Sequence, residues 1–215
     1  MKNYLLYGLA LVGLYACNSG GNSNQGQPIC PINAPLFSTE IGTNLINQWG
    51  INVFSYSPYG SAGYTDPFLG AAYFTGTEYA SNAVLLPTVS PITRSGSQEI
   101  YDYFTKLLAH GPKMTNNPET PESGGPFISL AECGYGVISG YYNFTYQDGT
   151  PETTARYTFQ FQYQPIESNI NIVVESGTES GAIINVNQPT GWYIKLQNSA
   201  KLPSSIGLPN NLLIK

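Results

Sequence analysis

The sequence predicts a mixed α+β fold, with helices in the first half of the chain and strands in the second. In the first half, apolar residues recur every three or four positions, which places them on one face of a helix. In the second half, apolar and polar residues alternate, as they do along half-buried strands. Helices followed by a run of antiparallel strands are typical of the α+β class. We therefore expect the helices to cover one face of a curved sheet.

Two helices are expected before residue 75. The first covers residues 38–54, and its apolar face holds Ile41, Leu45, Ile46, Trp49 and Val53. Residues 55–65 are rich in Ser, Tyr, Gly and Pro, and they predict a loop. Asp66 then has the character of an N-cap, and Pro67 suits the first helical position. A short helix should follow and end near Phe74.

A third helix is expected after a short strand at residues 83–86. Ser95 or Ser97 would cap it, and it would run to about Ala109. Its apolar face holds Ile100, Tyr103, Phe104, Leu107 and Leu108. The Gly111-Pro112 pair ends it, and residues 113–125 predict a polar loop. His110 precedes this end, where its charge would favour the helix dipole.

The remaining chain predicts strands. They cover residues 127–133, 136–146, 152–163, 169–174, 182–186 and 191–199. Asp148-Gly149 is a hairpin signal between two of them, and a Ser-Gly-rich turn at 176–181 indicates another. Along 152–163 the aromatic residues point one way, whereas Arg156 and Thr158 point the other.

The N-terminus predicts export. Lys2 precedes an apolar run over residues 4–14, which is too short to span a bilayer but suits a signal peptide. Leu14-Tyr15-Ala16-Cys17 resembles a lipobox, so residues 1–16 would be removed and Cys17 would carry the lipid. The protein would then face the periplasm from a membrane, with the outer membrane favoured by the residue after Cys17. Cleavage without lipid, giving a soluble secreted or periplasmic protein, is the alternative.

Four segments are expected in the exported chain. After the signal peptide, residues 17–37 form a flexible, polar tether, because their composition buries little apolar surface. Residues 38–205 form one domain, with an inserted hairpin at about 164–188, and residues 206–215 form a tail. Cys30 and Cys133 remain in an oxidising compartment, where a disulfide and two separate thiols are both open.

The charge argues against some partners, and the spacing of Cys and His argues against a metal site. Lys and Arg together number 8 against 13 Asp and Glu, and charged residues make up only 10% of the chain. Such a chain is a poor binder of nucleic acid, and it would reach a membrane only through its lipid. No Cys/His cluster has the spacing of a metal site, so no metal and no other cofactor is predicted.

Several segments carry a family resemblance. They are Asn-Ala-Val-Leu-Leu-Pro-Thr-Val-Ser at 82–90, Glu-Ile-Tyr-Asp-Tyr-Phe at 99–104, Ala-Arg-Tyr-Thr-Phe at 155–159, and Gly-Trp-Tyr-Ile at 191–194 with a later Leu-Pro. Together they resemble the nuclear transport factor 2-like superfamily. The branch they resemble most comprises bacterial relatives of the calcium/calmodulin-dependent kinase II association domain, close to SnoaL-like proteins. Trp49 matches a Trp that this branch often has in its first helix.

The resemblance implies a cone-shaped fold with a strongly bent antiparallel sheet. It also implies a pocket at the wide end, a ligand that is small and either apolar or anionic, and a homodimer formed through the sheet. Members of the superfamily include isomerases, cyclases and hydratases, as well as domains that only bind or oligomerise. The branch usually carries histidines near its end, whereas residues 196–203 here contain none. Their chemistry is therefore not expected in this chain.

The candidate ligand-binding residues are Arg156, Trp49, Tyr103, Thr158 and Tyr142. Arg156 could hold a carboxylate in a pocket or pair with a neighbour such as Glu152. Asp102 is a weak catalytic candidate, because carboxylates on a helix are more often solvated. The first hypothesis is an envelope-anchored, non-catalytic domain that binds a small ligand or oligomerises. The second is a SnoaL-like enzyme that transfers protons on a hydrophobic molecule, and a carboxylate beside Arg156 in one pocket would favour it.

Overall fold

The computed structural model describes residues 34–88, 90–116 and 127–201. Within these ranges the helices are α1 (Thr39–Ser55), α2 (Pro67–Glu78) and α3 (Gly96–Ala109). The strands are β1 (Tyr79–Leu86), β2 (Arg94–Ser95), β3 (Pro112–Asn116), β4 (Phe127–Glu132), β5 (Tyr135–Tyr146), β6 (Thr153–Gln164), β7 (Ser168–Val173), β8 (Ile183–Gln188) and β9 (Gly191–Lys201). The predicted α+β class is confirmed. The predicted cleavage and lipidation at Cys17 and the predicted tail at 206–215 lie outside the described residues.

The helices begin where their capping residues predict. Ser38 accepts a hydrogen bond from the Ile41 amide at 3.2 Å, and Asp66 accepts one from the Phe68 amide at 2.8 Å. Ser95 precedes α3 without a side-chain cap, but its own amide donates to the Glu99 carboxylate at 2.7 Å. The Glu99 carboxylate lies four residues after Ser95, one position further than in a capping box, and it satisfies the same N-cap amide. Gly111, with φ of 61°, ends α3 as predicted.

A seven-stranded bent sheet has the order β2-β1-β9-β6-β5-β3, with β4 pairing beside β3 along β5. Register shifts interrupt the β1–β9, β4–β5 and β6–β9 pairs. Such irregularities bend a strand and increase its twist. The sheet is antiparallel as predicted except at one place, where β1 and β9 are parallel. The intervening helix α3 and the strands after it give the chain room to return in the same direction.

The predicted polar loop at 113–125 is wrong over its first residues. Residues 112–116 form β3, in which Met114 lies opposite Phe144 of β5. Its sequence, Pro-Lys-Met-Thr-Asn, has little strand character of its own. The exposed backbone edge of β5 decides the pairing, and a local pattern does not report such an edge. Residues 117–126 lie outside the described residues.

The core lies between the helices and the inner face of the sheet. Along β6 the residues Ala155, Tyr157, Phe159 and Phe161 are buried in alternation, as predicted. Trp49 of α1 packs against four of the core's aromatic rings, which belong to Phe74, Tyr142, Phe144 and Phe159. The inside of the bend is therefore filled mainly by aromatic side chains.

The strands β7 and β8 form a separate two-stranded hairpin that packs on α2 and α3. Its buried residues include Ile170, Ile172 and Val186. Gly76 of α2 makes this approach possible, since a Cβ there would lie 2.6 Å from the Cβ of Val186. The hairpin thus covers helical surface that the main sheet leaves open.

The turn between β4 and β5 joins the N-terminal segment to the sheet. Phe37 donates its amide to the Glu132 carbonyl, and the Gly134 amide donates to the Pro35 carbonyl. Cys133, between them, is disulfide-bonded, so of the two states left open the disulfide is the one present for this residue. Its partner lies outside the described residues. Within the described ranges, the helices fall short of the length and apolar character needed to cross a bilayer.

Candidate functional site

A small cavity lies inside the bend of the sheet. Its walls are Trp49, Thr88, Tyr103, Phe104, Leu107, Tyr142, Phe144, Tyr146, Thr153 and Gln197. The cavity volume is only about 10 Å³, which is roughly the space for one water molecule. The interior pocket implied by the resemblance is therefore almost closed by aromatic rings.

Polar groups buried around this cavity bond to one another. The Trp49 indole donates to the Tyr79 hydroxyl at 3.2 Å, and that hydroxyl donates to Gln197. Gln197 in turn donates to the Ser199 hydroxyl at 3.3 Å. The Tyr142 hydroxyl bonds to Thr88 at 2.8 Å. These contacts satisfy the polar atoms that the aromatic interior would otherwise leave unpaired.

The phenols at the cavity stay protonated near neutral pH. Burial raises the pKa of Tyr142 to about 12, although hydrogen bonds with Ser199 and Thr88 act in the opposite direction. Burial also raises the pKa of Tyr103 well above its ordinary value. Burial raises the pKa of the neighbouring Tyr157 to about 12. These groups can donate hydrogen bonds to a ligand, but they do not serve as bases at neutral pH.

A much larger cleft opens next to the cavity. It lies between the segment before α3, the outer side of α3 and the turn that joins β5 to β6, and its volume is about 460 Å³. The cavity and the cleft share Tyr103, Leu107, Tyr146 and Thr153. The other residues around the cleft are Ser90, Ile92, Arg94, Lys106, His110 and Thr150. The closed interior thus continues outward into a space of ligand size.

A hydrogen-bonded pair, His110 and Asp148, stands at the edge of this cleft. The Nδ1 atom of His110 lies 2.5 Å from the carboxylate of Asp148, and the Thr150 hydroxyl is 3.4 Å from the same nitrogen. The His110 hydrogen bond, together with the Thr150 contacts, lowers the pKa of Asp148 to about 2. Because Asp148 holds Nδ1, the Nε2 atom of the ring is the one left for other partners.

Two further features bear on chemistry. Within the described ranges, His, Cys, Asp and Glu side chains form no group of three that could hold a metal ion. A second groove of about 450 Å³ runs between α1 and β3, lined in part by Ile51, Lys113 and Met114. The described residues that line this groove include no carboxylate and no histidine.

Comparison with known proteins gives relatives in structure only. No family model matches the chain, and no curated protein matches it. Among solved structures, a protein named as a calcium/calmodulin-dependent protein kinase II association domain from Xanthomonas campestris is 23% identical. The match covers 77% of this chain and 87% of that one, with a TM-score of 0.49.

Two further structures are similar. A nuclear transport factor 2-like superfamily protein from Salmonella enterica is 13% identical, covers 80% and 94% of the two chains, and gives a TM-score of 0.44. A protein named as a scytalone dehydratase from Novosphingobium aromaticivorans is 7% identical, covers 79% and 89%, and gives 0.41. The structural neighbours are nuclear transport factor 2-like proteins. At these identities the likeness extends to the course of the chain and not to the chemistry of the cleft.

The predicted ligand-binding residues divide between the two faces of the sheet. Trp49, Tyr103 and Tyr142 line the inner cavity, and Tyr103 also lines the cleft. Arg156 and Thr158 lie on the outer face, where Arg156 is exposed and Thr158 bonds to Ser139 at 2.9 Å. The prediction that Arg156 and Thr158 face the pocket of a nuclear transport factor 2-like fold is therefore corrected. Strand alternation placed both residues together, but the covered face of the sheet is the opposite one.

The weak catalytic candidate, Asp102, lies outside both spaces. Burial and the nearby Glu175 charge raise its pKa, whereas a hydrogen bond from Gln98 and the Arg94 charge oppose this rise. Its side chain contacts Gln98 at 3.5 Å, and it does not line the cavity or the cleft. The carboxylate and Arg156 thus do not converge in one pocket.

The sequence interpretation missed the charged residues of the cleft. Arg94 lies in the segment before α3, and Lys106 lies one helical turn before the C-terminal end of α3. A signal was present, because Lys106 and His110 are four residues apart and must share one face of the helix. Arg94 had no such signal, since only the path of the loop brings it to that face.

Proposed function

We propose that this protein is an envelope-anchored, non-catalytic domain that binds a small ligand in the cleft beside α3. The observation that carries this proposal is the cleft of about 460 Å³ with an inner wall of Tyr103, Leu107 and Tyr146. Sites for small molecules have volumes of roughly 300–1,000 Å³ and apolar walls with few polar groups. The almost filled interior directs the ligand to the cleft rather than to the cavity.

The character of the walls supports binding rather than catalysis. Among the described residues, no Asp or Glu lines the cavity or the cleft. The buried Tyr142 remains protonated at neutral pH. General acid–base catalysis needs a group whose pKa lies near the working pH, placed within reach of the ligand. Apart from His110 at the rim, the walls supply shape and hydrogen bonds.

The anchoring half of the proposal rests on the N-terminal sequence, in which Cys17 follows Ala16 after the apolar run. The disulfide at Cys133 supports an exported location, because disulfides persist in oxidising compartments. The anchor would hold the domain at the periplasmic surface of a membrane, with the outer membrane favoured.

A homodimer through the outer face of the sheet is the second part of the proposal. The aromatic residues Tyr157, Phe159 and Phe161 of β6 are buried inside the bend, so a dimer would use the opposite face of the sheet. The outer face presents Tyr141 and Leu196 among uncharged polar residues such as Gln160. A sheet face with few charges is suited to pairing with a second copy of the same face.

One observation favours a SnoaL-like enzyme as the alternative function. The His110–Asp148 pair resembles a base that is oriented by a carboxylate, and it borders the cleft. In such an enzyme His110 would move protons on a hydrophobic substrate held against Tyr103. The exposed position of His110 favours a solvated hydrogen-bonded pair without a catalytic role, and for this reason we propose binding first.

Native mass spectrometry of the purified mature protein tests the binding proposal. We expect a small co-purified molecule in the wild type and in Ile51→Trp, but not in Ile92→Trp. Both isoleucines are exposed, at 58% and 56%, but only Ile92 borders the cleft, which a tryptophan there would obstruct. Retention of the molecule by Ile92→Trp, or its absence from the wild type, would contradict the proposal.

The same material separates the two functions. A binding protein releases the molecule unchanged after incubation, whereas an enzyme converts it into a product with a different mass or structure. If the wild type converts the molecule and His110→Asn does not, the enzyme is the correct interpretation.

A further inference from the structure

The cleft concentrates positive charge in an acidic protein. The chain has 8 Lys and Arg against 13 Asp and Glu, yet Arg94 and Lys106 border the cleft and, among the described residues, no acidic side chain does. The other described Lys and Arg residues lie elsewhere, with Lys113 at the second groove and Arg156 on the outer face of the sheet. The local charge is thus opposite in sign to that of the whole molecule.

The Arg94 side chain is only partly satisfied. Its Nε atom is buried without a hydrogen-bond partner, and within the described residues its guanidinium makes no ion pair. A guanidinium cannot lose its charge at physiological pH, so an unpaired donor costs free energy. A bound oxyanion in the cleft would supply acceptors to the terminal nitrogens of this guanidinium, since Arg recognises such groups through two parallel hydrogen bonds.

The carboxylates near Arg94 are engaged elsewhere. Glu99 accepts the amide of Ser95 at the start of α3, and Asp102 is contacted by Gln98. Asp148 is held by His110. These acids moderate the field around the cleft, but none of them borders it.

The rest of the cleft is suited to an apolar or aromatic body. Tyr103 and Tyr146 present rings to it, and Leu107 and Ile92 present aliphatic side chains. The Thr153 hydroxyl offers a polar contact near the inner end, where cleft and cavity meet. The charged and apolar residues therefore border one continuous space.

We propose that the ligand of this cleft is a small amphipathic oxyanion, a carboxylate, sulfonate or phosphate attached to an apolar or aromatic body. Arg94 and Lys106 hold the oxyanion, and Tyr103, Leu107 and Tyr146 contact the body. This inference rests on the proposed binding function, and it adds the sign of the ligand's charge and the residues that select it.

The test uses two fluorescent probes with the same rings. Anilinonaphthalene sulfonate carries a sulfonate, and phenylnaphthylamine lacks it. We expect the mature protein to bind the sulfonate probe at least about ten-fold more tightly than the neutral probe. Ile92→Trp should lower the affinity for both probes. Arg94→Met should lower the affinity for the sulfonate probe by roughly 10- to 100-fold, the usual range for a hydrogen bond to a charged group. The same variant should change the affinity for the neutral probe by less than about two-fold.

Matched controls remove the same charges elsewhere. Arg156→Met and Lys113→Met should leave both affinities unchanged. Lys106→Met should lower the affinity for the sulfonate probe only. If Arg94→Met loses its far-ultraviolet circular dichroism, the variant has unfolded. The comparison of Lys106→Met with Lys113→Met then decides whether the cleft selects an anion.

Two results would overturn the inference in distinguishable ways. Equal affinity for the two probes, with Ile92→Trp weakening both, would show an apolar binding site without anion selectivity, so the proposed function would stand and this inference would fall. Probe binding that Ile92→Trp does not affect would remove the cleft as a site, and both would fall.

Discussion

Glu78 is a carboxylic acid that the fold holds largely away from water. It is the last residue of α2, and its carboxyl accepts a hydrogen bond of 2.6 Å from the Asn52 amide of α1. Asn52 itself accepts one from Gln48 at 2.8 Å. Burial raises the pKa of Glu78 to about 7, although the bond from Asn52 acts in the opposite direction. The native state therefore favours the protonated acid.

We predict that Glu78 makes the protein less stable as the pH rises. Below about pH 4.5 the group is protonated in both states, so it adds no penalty. Between there and about pH 7 the unfolded chain ionises while the native state keeps its proton, so the free energy of unfolding falls. Glu78→Gln should be more stable than the wild type at pH 8 by about 1–3 kcal/mol and equal to it at pH 4.

Urea unfolding across this pH range measures the difference. Glu99→Gln on α3 is the matched control, because Glu99 is bonded to the backbone at a solvent-facing helix start. A wild-type curve parallel to that of Glu78→Gln from pH 4 to 8 would contradict the prediction.

The Tyr79 hydroxyl links two buried polar side chains, those of Trp49 and Gln197. This hydroxyl accepts from the Trp49 indole and donates to Gln197, and the residue is fully buried. Tyr79→Phe should lower the free energy of unfolding by about 1–3 kcal/mol, because two buried polar groups lose their partner. Tyr193→Phe is the matched control, since its hydroxyl bonds only to the Pro189 carbonyl near the surface. Equal losses of unfolding free energy in the two variants would contradict the role of the buried hydrogen bonds that join Trp49, Tyr79 and Gln197.

At the scale of elements, side-chain hydrogen bonds hold the β7–β8 hairpin against the helices. Asp66 accepts two bonds from Thr178, one from its amide at 2.8 Å and one from its hydroxyl at 2.9 Å. Gln98 pairs with the amide and the carbonyl of Val173, both at 3.0 Å, as a neighbouring strand would. Gln188 donates to the carbonyls of Gly76 and Tyr79. The hairpin is thus a docked element with its own polar attachment.

We predict that Asp66→Ala loosens both α2 and the hairpin. The variant loses the helix cap and both bonds to Thr178, so the free energy of unfolding should fall by about 1–2 kcal/mol. Amide hydrogen exchange should accelerate over residues 168–188 as well as at the start of α2. Thr178→Val is the control that removes only the hydroxyl bond. Faster exchange confined to α2 in Asp66→Ala would contradict the role of Asp66 in holding the hairpin.

At the scale of the whole molecule, the proposed dimer depends on the outer face of the sheet. We predict a dimer by sedimentation at micromolar concentration. Tyr141→Lys should convert it to a monomer, since it places a second positive charge directly opposite Arg156 on this face. Thr145→Lys adds the same charge on the same strand at an exposed position, and it should remain dimeric. A monomeric wild type would rule out the homodimer.

The proposed anchor is also a property of the whole molecule. Cys17→Ala should abolish labelling by a fatty-acid analogue and release the protein from membranes. Cys30→Ala is the matched control and should keep the label. Labelling that persists in Cys17→Ala would contradict the lipoprotein proposal.

Local sequence determined most of the secondary structure of this protein. Ser38, Asp66 and Gly111 define helix ends because their side chains or backbone preferences act within a few residues. The alternation along β6 was likewise readable, since strand geometry places every second residue on one face. The α+β class follows from the order of these segments.

Tertiary structure alone decided which face of each element meets which space. Alternation set Arg156 apart from Phe159, but only the helices show that the side of Phe159 is the covered one. The parallel β1–β9 pair, the edge strand β3 and the convergence of Arg94 with Lys106 also depend on distant parts of the chain. Periodicity reports which residues share a surface, whereas the partner of that surface is selected by packing over the whole molecule, and the cleft exists only where three such surfaces meet.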